Sequence, residues 1–457
     1  MIFCSKRIGV HCTRINTRLG GPRSRTAAVA LHQIQSSGAT PSRSRLSGLW
    51  TVLLLLSAGS ASASGRAALT LDEALLAVQQ APEIRARRAG VDAATLAIGP
   101  AGELPDPALV FGIENLPVDG GEAFSLTDDF MSMRKVGVMQ AFPTREKRRL
   151  RTDRAESEAA RERALLAVEQ LAVQEAVARA WIALASAQER VAMLESMRPL
   201  VQAQLTAATS AVTAGSGSVA EGIAARTAIE ALEDRIDNAL ATLASARAEL
   251  ERWIPDLGDR VLAPAPDWRQ AGPDPALALG DIAHHRELLA YAAMQRTAQT
   301  DVELARAEKW PDWSVELSYA QRGPQYSNML SLQFNVGLPV FASRRQDPRI
   351  AAATALQTRI EAEREAAQRI HRAELDKTVV QWRSTARRIQ RFEKELLPLS
   401  DDRAEVALAA YQGGSGKLKD ALMAFEAAIE QRLAYIELKE SLGQAWATLH
   451  FAFPQER

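Results

Sequence analysis

The feature that most constrains this 457-residue chain is an internal duplication. Residues 214–218 recur as 413–417 and residues 139–142 recur as 338–341, both about 199 positions later, while residues 104–107 recur as 310–313 at an offset of about 206. A tandem duplication with one change of length accounts for all three matches. Each half has the pattern of a helix, a strand pair, a very long helix, a turn and a returning helix, and few folds are built in that way.

The N-terminal region has the pattern of a secretory signal peptide. Eight basic residues and no acidic residue precede the apolar run 49–56, and Ala61-Ser62-Ala63 matches the small-residue site that a signal peptidase cleaves. The apolar run is too short for a permanent membrane anchor. We therefore predict a signal peptide over residues 1–63, with an upstream part that is unusually long.

Composition excludes several classes of function for the residues after 63. They would carry 47 basic and 55 acidic residues, which disfavours a general nucleic-acid binder. Both cysteines, Cys4 and Cys12, lie in the predicted leader, so disulfides, thiolate metal sites and cysteine nucleophiles are excluded. Because the chain also lacks an HExxH motif and a P-loop lysine, the sequence predicts no enzyme, no cofactor and no bound metal.

Each half contains a pattern typical of two β-strands. In the second half five apolar residues alternate with small and polar ones: Leu330, Leu332, Phe334, Val336 and Leu338. This alternation fits a strand with lipid on one side and water on the other, and a soluble sandwich strand would show it too. We predict strands at about 108–116 and 131–142 in the first half and at about 313–320 and 329–340 in the second.

Glycine-poor stretches predict two long helical hairpins. Between residues 144 and about 212 Pro199 is the only proline, and a continuous helix there would run roughly 100 Å. Seven positions step by alternating fours and threes, a heptad rhythm that requires a coiled-coil partner: Val173, Val177, Ala180, Leu184, Ala187, Val191 and Leu194. A similar rhythm follows in the second half. We predict hairpin tips at about 213–219 and 412–418.

Two side-chain groups near the strands allow alternative interpretations. Met131, Met133 and Met139 could serve as soft ligands for monovalent copper. At the offset of 199, however, they align with apolar positions of the second strand pair, which favours packing on an outward face. The arginine-rich starts of the long helices, at 145–154 and 344–349, predict a solvated or headgroup-facing cluster.

An exported chain with two copies of a strand pair and a long helical hairpin resembles the TolC family of outer-membrane efflux channels. The specific matches are Tyr411-Gln412-Gly413-Gly414, Asp420-Ala421-Leu422, Leu338-Pro339-Val340-Phe341 and Pro311-Asp312. The resemblance implies a mainly α fold with membrane β-structure, in repeats 64–262 and 263–457. It further implies a homotrimer with a twelve-stranded β-barrel in the outer membrane, continued by a periplasmic α-helical barrel.

The resemblance also implies roles for residues at the hairpin tips. The tips would dock a periplasmic adaptor protein through Gly215, Ser216, Gly217, Gly414, Ser415 and Gly416. Glu221 and Asp420 would line the pore constriction in the trimer. The alternative for both carboxylates is stabilisation of a helix N-terminus by an acidic residue in its first turn.

Residues 104–107, 112–117 and 141–143 resemble the heavy-metal-resistance subgroup, which works with cation-exporting RND pumps of the inner membrane. The resemblance implies a passive duct for heavy-metal cations that the pump and the adaptor deliver. One alternative is a channel of the same fold for drugs or other organic compounds. A second is a periplasmic coiled-coil adaptor, although adaptors normally have one hairpin flanked by small β-domains.

Overall fold

The structure is a computed structural model that describes residues 68–215, 217–258, 260–270 and 282–454. The predicted signal peptide and Ser216 of the first tip lie outside these described residues. All structural statements below concern the compact unit Gly65–Arg457.

The described residues of the first half form five helices. They are α1 (Leu71–Ala77), α2 (Pro82–Leu96), α3 (Ile98–Ala101), α4 (Arg145–Thr213) and α5 (Val219–Trp253), with a 3-10 turn at Val78–Gln80. Thr70 and Glu73 form a capping box at the start of α1, which satisfies two backbone N–H groups. Helix α1 and the 3-10 turn that follows it end before Ala81-Pro82, because proline disfavours helical geometry in the residue before it.

The second half repeats this order with one irregularity. Its helices are α6 (Tyr291–Ala307), α7 (Gln346–Arg391), α8 (Leu397–Gln412) and α9 (Leu418–His450), with 3-10 turns at Ile282–His284, Arg286–Leu288 and Ala342–Arg344. A π-helical turn, Phe392–Leu396, connects α7 to α8 just before Pro398. In the first half Pro199 lies inside the uninterrupted helix α4.

The four strands form one antiparallel sheet in the order β1-β2-β3-β4. Their bounds are β1 Ala108–Glu114, β2 Met133–Phe142, β3 Trp313–Gln321 and β4 Met329–Val336. Strand β4 is shorter than the predicted 329–340. After Val336 the N–H of Gly337 still reaches Asp312 O at 3.0 Å, but Pro339 has no N–H to continue the ladder. Leu338 therefore lies beyond the strand.

One face of the sheet is apolar across all four strands. Phe111, Val136, Tyr319 and Leu330 lie side by side in one row, and Leu109, Val138, Leu317 and Leu332 lie in the next. All eight of these side chains are exposed to solvent in the single chain. An apolar surface of this continuity is typical of a face that contacts lipid or another protein.

The opposite face is polar, and it contains Met133 and Met139, which the sequence pattern places on the apolar side. Ala108 pairs with Met139, and Ser314, its equivalent at the offset of 206, pairs with Asn335. Strand β4 therefore follows β2 at an offset of 196 rather than 199. Because side chains alternate between faces, an offset wrong by three residues placed Met133 and Met139 on the wrong side.

The two hairpins pack lengthwise through the predicted heptad positions. All seven α4 positions of the heptad are buried, which confirms the coiled-coil prediction for this helix. The largest cluster lies at the base of the hairpins, where Trp181 is 1 % exposed and its Nε1 donates to Leu69 O at 3.2 Å. Among the described helices, none is both long and apolar enough to cross a membrane.

Candidate channel surfaces and hairpin tips

The two hairpin tips have the same backbone geometry. Gly215 has φ +75° and Gly414 has φ +73°, a left-handed conformation that L side chains rarely adopt. The N–H of Gly217 donates to Ala211 O at 2.9 Å, and the N–H of Gly416 donates to Ala410 O at 2.8 Å. These bonds end α4 and α8 in the same way, so the duplication extends to individual hydrogen bonds.

Steric space explains the last glycine of each tip. A Cβ on Gly217 would lie 3.0 Å from Ala211 Cβ, and a Cβ on Gly416 would lie 3.0 Å from Ala410 Cβ. The hydroxyl of Ser415 donates to Ala410 O at 3.1 Å, so it stabilises the turn. The glycines predicted as docking residues therefore have a structural reason to be there as well.

The structure brings the two tips together at one end of the helices. Ala208 and Ala225 of the first hairpin and Leu418 of the second form one cluster, in which each is at most 1 % exposed. Tyr411 and Leu422 cover this cluster. The described docking candidates of both hairpins therefore lie at the same end of the helices.

The two candidate constriction carboxylates differ in their surroundings. Glu221 forms a capping box: its Oε2 accepts from Ser218 N at 3.0 Å, and Ser218 Oγ accepts from Glu221 N at 3.2 Å. This geometry supports the helix-start interpretation for Glu221. Asp420 is exposed in the first turn of α9, where no side-chain cap is present, and its N–H donates to Lys417 O at 3.1 Å.

A groove of about 340 Å³ lies between α5 and α9 close to the tips, and the sequence did not reveal it. Leu232, Phe425 and Ile429 line it with apolar surface, while Arg235 and Glu426 form an ion pair of 3.1 Å at its side. No sequence signal could have located this groove, because it depends on how two helices distant in sequence face each other.

The polar face of the sheet contains an ion triad that was also not predicted. Lys135 Nζ lies 2.9 Å from Glu114 Oε1 and 2.6 Å from Glu316 Oε1. Glu316 is buried, so loss of Lys135 would leave a buried carboxylate without this ion-pair partner. Lys135 and Gly137 are two residues apart and therefore share one face of the strand, while Val136 lies on the other. This alternation is the sequence signal that could have placed Lys135 on the polar face.

A buried lysine joins the start of α4 to the start of β3. Lys147 is 5 % exposed, and its Nζ lies 2.9 Å from Asp312 Oδ1 and 2.8 Å from Trp310 O. Thr144 N also donates to Asp312 Oδ1 at 3.3 Å. The sequence marked Asp312 as part of a matching motif, but the arginine-rich run gave no sign that Lys147 was the buried member.

The histidines form a small stacked group near the base of the hairpins. His285 stacks on His371 with ring centroids 4.7 Å apart, and Phe453 meets His285 edge-on. Burial, helped by neighbouring His371 and Arg286, lowers the pKa of His285 to about 4. Within the described part of the chain, no group of three or more His, Cys, Asp or Glu side chains could hold a metal ion.

No protein-family profile and no curated protein sequence matches the chain. Solved structures do match. The outer membrane protein VceC from Vibrio cholerae aligns with a TM-score of 0.68 at 16% identity, over 84% of this chain and 95% of VceC. The CmeC outer membrane channel of Campylobacter jejuni gives 0.71 at 13% identity, over 85% and 87%. The open MtrE outer membrane channel of Neisseria gonorrhoeae gives 0.69 at 16% identity, over 84% and 88%. This chain therefore has the TolC-type fold of these outer-membrane channels.

Proposed function

We propose that the chain is the outer-membrane channel component of a tripartite efflux system. It would be a passive exit duct for substrates that an inner-membrane RND pump and a periplasmic adaptor deliver. The observation that supports this most directly is the sheet, whose apolar face is exposed across all four strands. A chain that folds alone in water would bury such a face.

The open edges of the sheet support a homotrimer. Among the residues that the structure describes, strands β1 and β4 each have one neighbour, so each has one edge that is unpaired there. In lipid, unpaired backbone groups are too costly, and four strands are too few to close a barrel. Three copies would supply twelve strands, with the apolar face towards the outer-membrane lipid and the polar face around a water-filled lumen.

The length of the hairpins supports a periplasmic role. Helix α4 has 69 residues, which corresponds to roughly 100 Å at 1.5 Å per residue. In a trimer these hairpins would form the helical barrel that continues the duct through part of the periplasm. The adaptor would then dock at the paired tips around Gly215 to Gly217 and Gly414 to Gly416, beside the groove between α5 and α9.

Asp420 is the stronger candidate for a constriction residue, since its exposed carboxylate would be repeated three times in the trimer. Such a ring would concentrate cations by its negative potential. Glu221 would add to this potential from within its capping box. In planar bilayers we expect the Asp420→Ala, Glu221→Ala double variant to lose selectivity for cations over anions. Unchanged selectivity would contradict the constriction role.

Heavy-metal cations are the proposed substrate, because residues 104–107, 112–117 and 141–143 resemble the heavy-metal-resistance subgroup. Organic compounds are the second candidate. Growth of a deletion strain on copper, silver, zinc, cobalt, nickel and cadmium, beside detergents and dyes, separates the two. Sensitivity to one or two metals supports the first, and sensitivity mainly to organic compounds supports the second.

Membrane fractionation tests the channel itself against the adaptor alternative. We expect the wild-type protein to stay in the outer-membrane fraction after carbonate extraction. Arginine at the lipid face costs about 2–4 kcal/mol at the bilayer centre, so Leu332→Arg should prevent insertion. Its neighbour Ser331 lies on the polar face, and Ser331→Arg should insert normally. Release of the wild-type protein by carbonate would overturn the proposal.

A further inference from the structure

The chain contains an internal template for the contact between its copies. Strands β2 and β3 come from different halves of the duplication, and they pair in a fixed register with Val138 opposite Leu317. Strands β1 and β3 are equivalent at the offset of 206, and β2 and β4 are equivalent at 196. The pair equivalent to β2–β3 would therefore be β4 with β1, and within one chain these strands lie at opposite edges of the sheet.

We infer that β4 of one copy pairs with β1 of the neighbouring copy in the register that β2 and β3 already use, which places Phe334 opposite Phe111 and Asn335 opposite Val110. This inference rests on the proposed trimer and adds the residues of its β-seam. The register follows when each residue of the Val138–Leu317 pair is replaced by its equivalent. Val138 moved forward by 196 positions gives Phe334, and Leu317 moved back by 206 positions gives Phe111.

The burial and chemistry of these strands fit the inferred register. Phe334 and Phe111 both lie on the apolar face and both are exposed in the single chain, at 63% and 78%. A slip of one residue would place the apolar side chains of β4 opposite the polar face of β1. A slip of two residues would keep the faces matched, so parity alone leaves more than one register.

The inferred register also gives each seam a glycine in the equivalent row. Gly137 lies opposite Ser318 in the β2–β3 seam, where a Cβ on residue 137 would come within 2.6 Å of Ser318 Cβ. The inferred register puts Gly112 opposite Gln333 in the same row of the intermolecular seam. Both seams then have one glycine at the same height, on opposite strands.

Charged residues below the sheet give a second, independent match. Asp312 holds the start of α4 within the chain, and its equivalent at the offset of 206 is Asp106, which is exposed and has no ion pair among the described residues. Arg345 occupies the N-cap position of α7, as Thr144 does for α4, and it is likewise exposed without an ion pair in that part of the chain. We expect Asp106 to pair with Arg345 of the neighbouring copy.

Cysteine cross-linking tests the register directly. In a background with Cys4→Ser and Cys12→Ser, the pair Asn335→Cys and Val110→Cys should form a disulfide between copies on oxidation. The slipped pairs combine Asn335→Cys with Gly112→Cys or with Ala108→Cys. Their Cα atoms would be about 7–8 Å apart, which is beyond the usual reach of a disulfide. Ala141→Cys with Ser314→Cys, opposed in the β2–β3 register, is the intrachain control.

The expected result is a ladder of covalent dimers and trimers on a non-reducing gel for the first pair, and at least tenfold less for the slipped pairs. The intrachain control should leave the subunit mass unchanged. A ladder from a slipped pair, or no ladder although native mass shows three copies, would overturn the register and leave the proposed channel intact. A monomeric mass in detergent would overturn both.

Charge exchange tests the Asp106–Arg345 contact separately. We expect Asp106→Arg to lower the temperature at which the trimer dissociates in detergent, because two like charges would then face each other. Combining it with Arg345→Asp should restore that temperature. If the double variant is no more stable than the single one, the two residues do not pair.

Discussion

The ammonium group of Lys147 lies 2.9 Å from Asp312 Oδ1, and the two ends of this contact are very unequally exposed. The side chain of Lys147 is 6% exposed, whereas that of Asp312 is 44% exposed. The contact therefore holds the start of α4 against the start of β3, and its formation removes water mainly from the ammonium group of Lys147. Removing Asp312 and removing Lys147 should therefore lower the stability of the protein by different amounts.

We expect Asp312→Ala to destabilise the protein by about 1–3 kcal/mol, because the buried ammonium group of Lys147 would keep its bond to Trp310 O but lose its charged partner. Lys147→Met should cost clearly less, because the carboxylate of Asp312 can be hydrated and the methionine fills the same space. Urea unfolding of both variants in detergent, followed by circular dichroism, measures the difference. Equal losses in the free energy of unfolding would contradict the view that the buried charge of Lys147 is what makes the loss of its partner costly.

Stability should decrease as the pH falls, because of His285. Its pKa is lowered from 6.5 to about 4 in the folded chain, chiefly by burial, with His371 and Arg286 adding to the effect and Glu374 opposing it. The unfolded chain therefore binds the proton more readily. The neutral imidazole stabilises the fold fully above about pH 6.5, and this contribution is lost as the pH falls towards 4.

His285→Asn should weaken this pH dependence while it keeps an N-cap acceptor, since His285 Nδ1 accepts from Glu287 N at 3.4 Å. Unfolding free energies at pH 7.5 and pH 5 would be compared with those of the wild type. The neighbouring His284 is exposed, and His284→Asn is the matched control. The same slope for wild type and His285→Asn would exclude His285 as the cause.

Gly414→Ala should loosen the second tip. The left-handed backbone at φ +73° costs an L-residue about 1–2 kcal/mol, which corresponds to a roughly 5–30-fold larger population of open tip. Proteolysis at the tip should accelerate by a similar factor. Gly99→Ala, where a Cβ meets nothing within 4 Å, is the control and should leave the cleavage rate unchanged. A Gly414→Ala tip as resistant as the wild type would mean that the turn can adopt another conformation.

Lys135→Gln should make the proposed channel more cation-selective. Lys135 is the cation between two carboxylates on the polar face, so its loss changes the local charge of each copy by one unit. The reversal potential in planar bilayers under a salt gradient would report this. Arg134 lies on the opposite face, and Arg134→Gln should leave the reversal potential as it was. A shift caused by Arg134→Gln alone would place the lumen on the other face.

The sequence was sufficient for the helices because their pattern is long and local. The α4 heptad runs over 22 residues from Val173 to Leu194, and every position in it is buried. The strands were harder, because β2 has methionines on one face and Arg134 and Gln140 on the other, which blurs the alternation. An offset taken from the hairpin tips also cannot be applied to a strand, where one residue of error reverses the side chains.

The candidate sites were predictable to a smaller extent. Glycine pairs marked the tips, since only glycine adopts the turn conformation readily at Gly215 and Gly414. The capping role of Glu221 was recognised as an alternative, but whether Ser218 would reciprocate depended on three-dimensional geometry. The contacts of Lys135, Lys147 and Arg235 join residues that are distant in sequence, and a single sequence contains no local signal for such pairs.

The offset stays constant through each strand, at 206 for β1 and β3 and at 196 for β2 and β4, and this has a consequence for how the gene can change over time. Loss or gain of one codon within a strand would turn every following side chain of that strand to the other face, whereas two codons would preserve the faces. The loops and helix junctions have no such constraint. Drift in length between the two halves should therefore accumulate outside the strands, where single-codon changes leave the lipid-facing pattern intact.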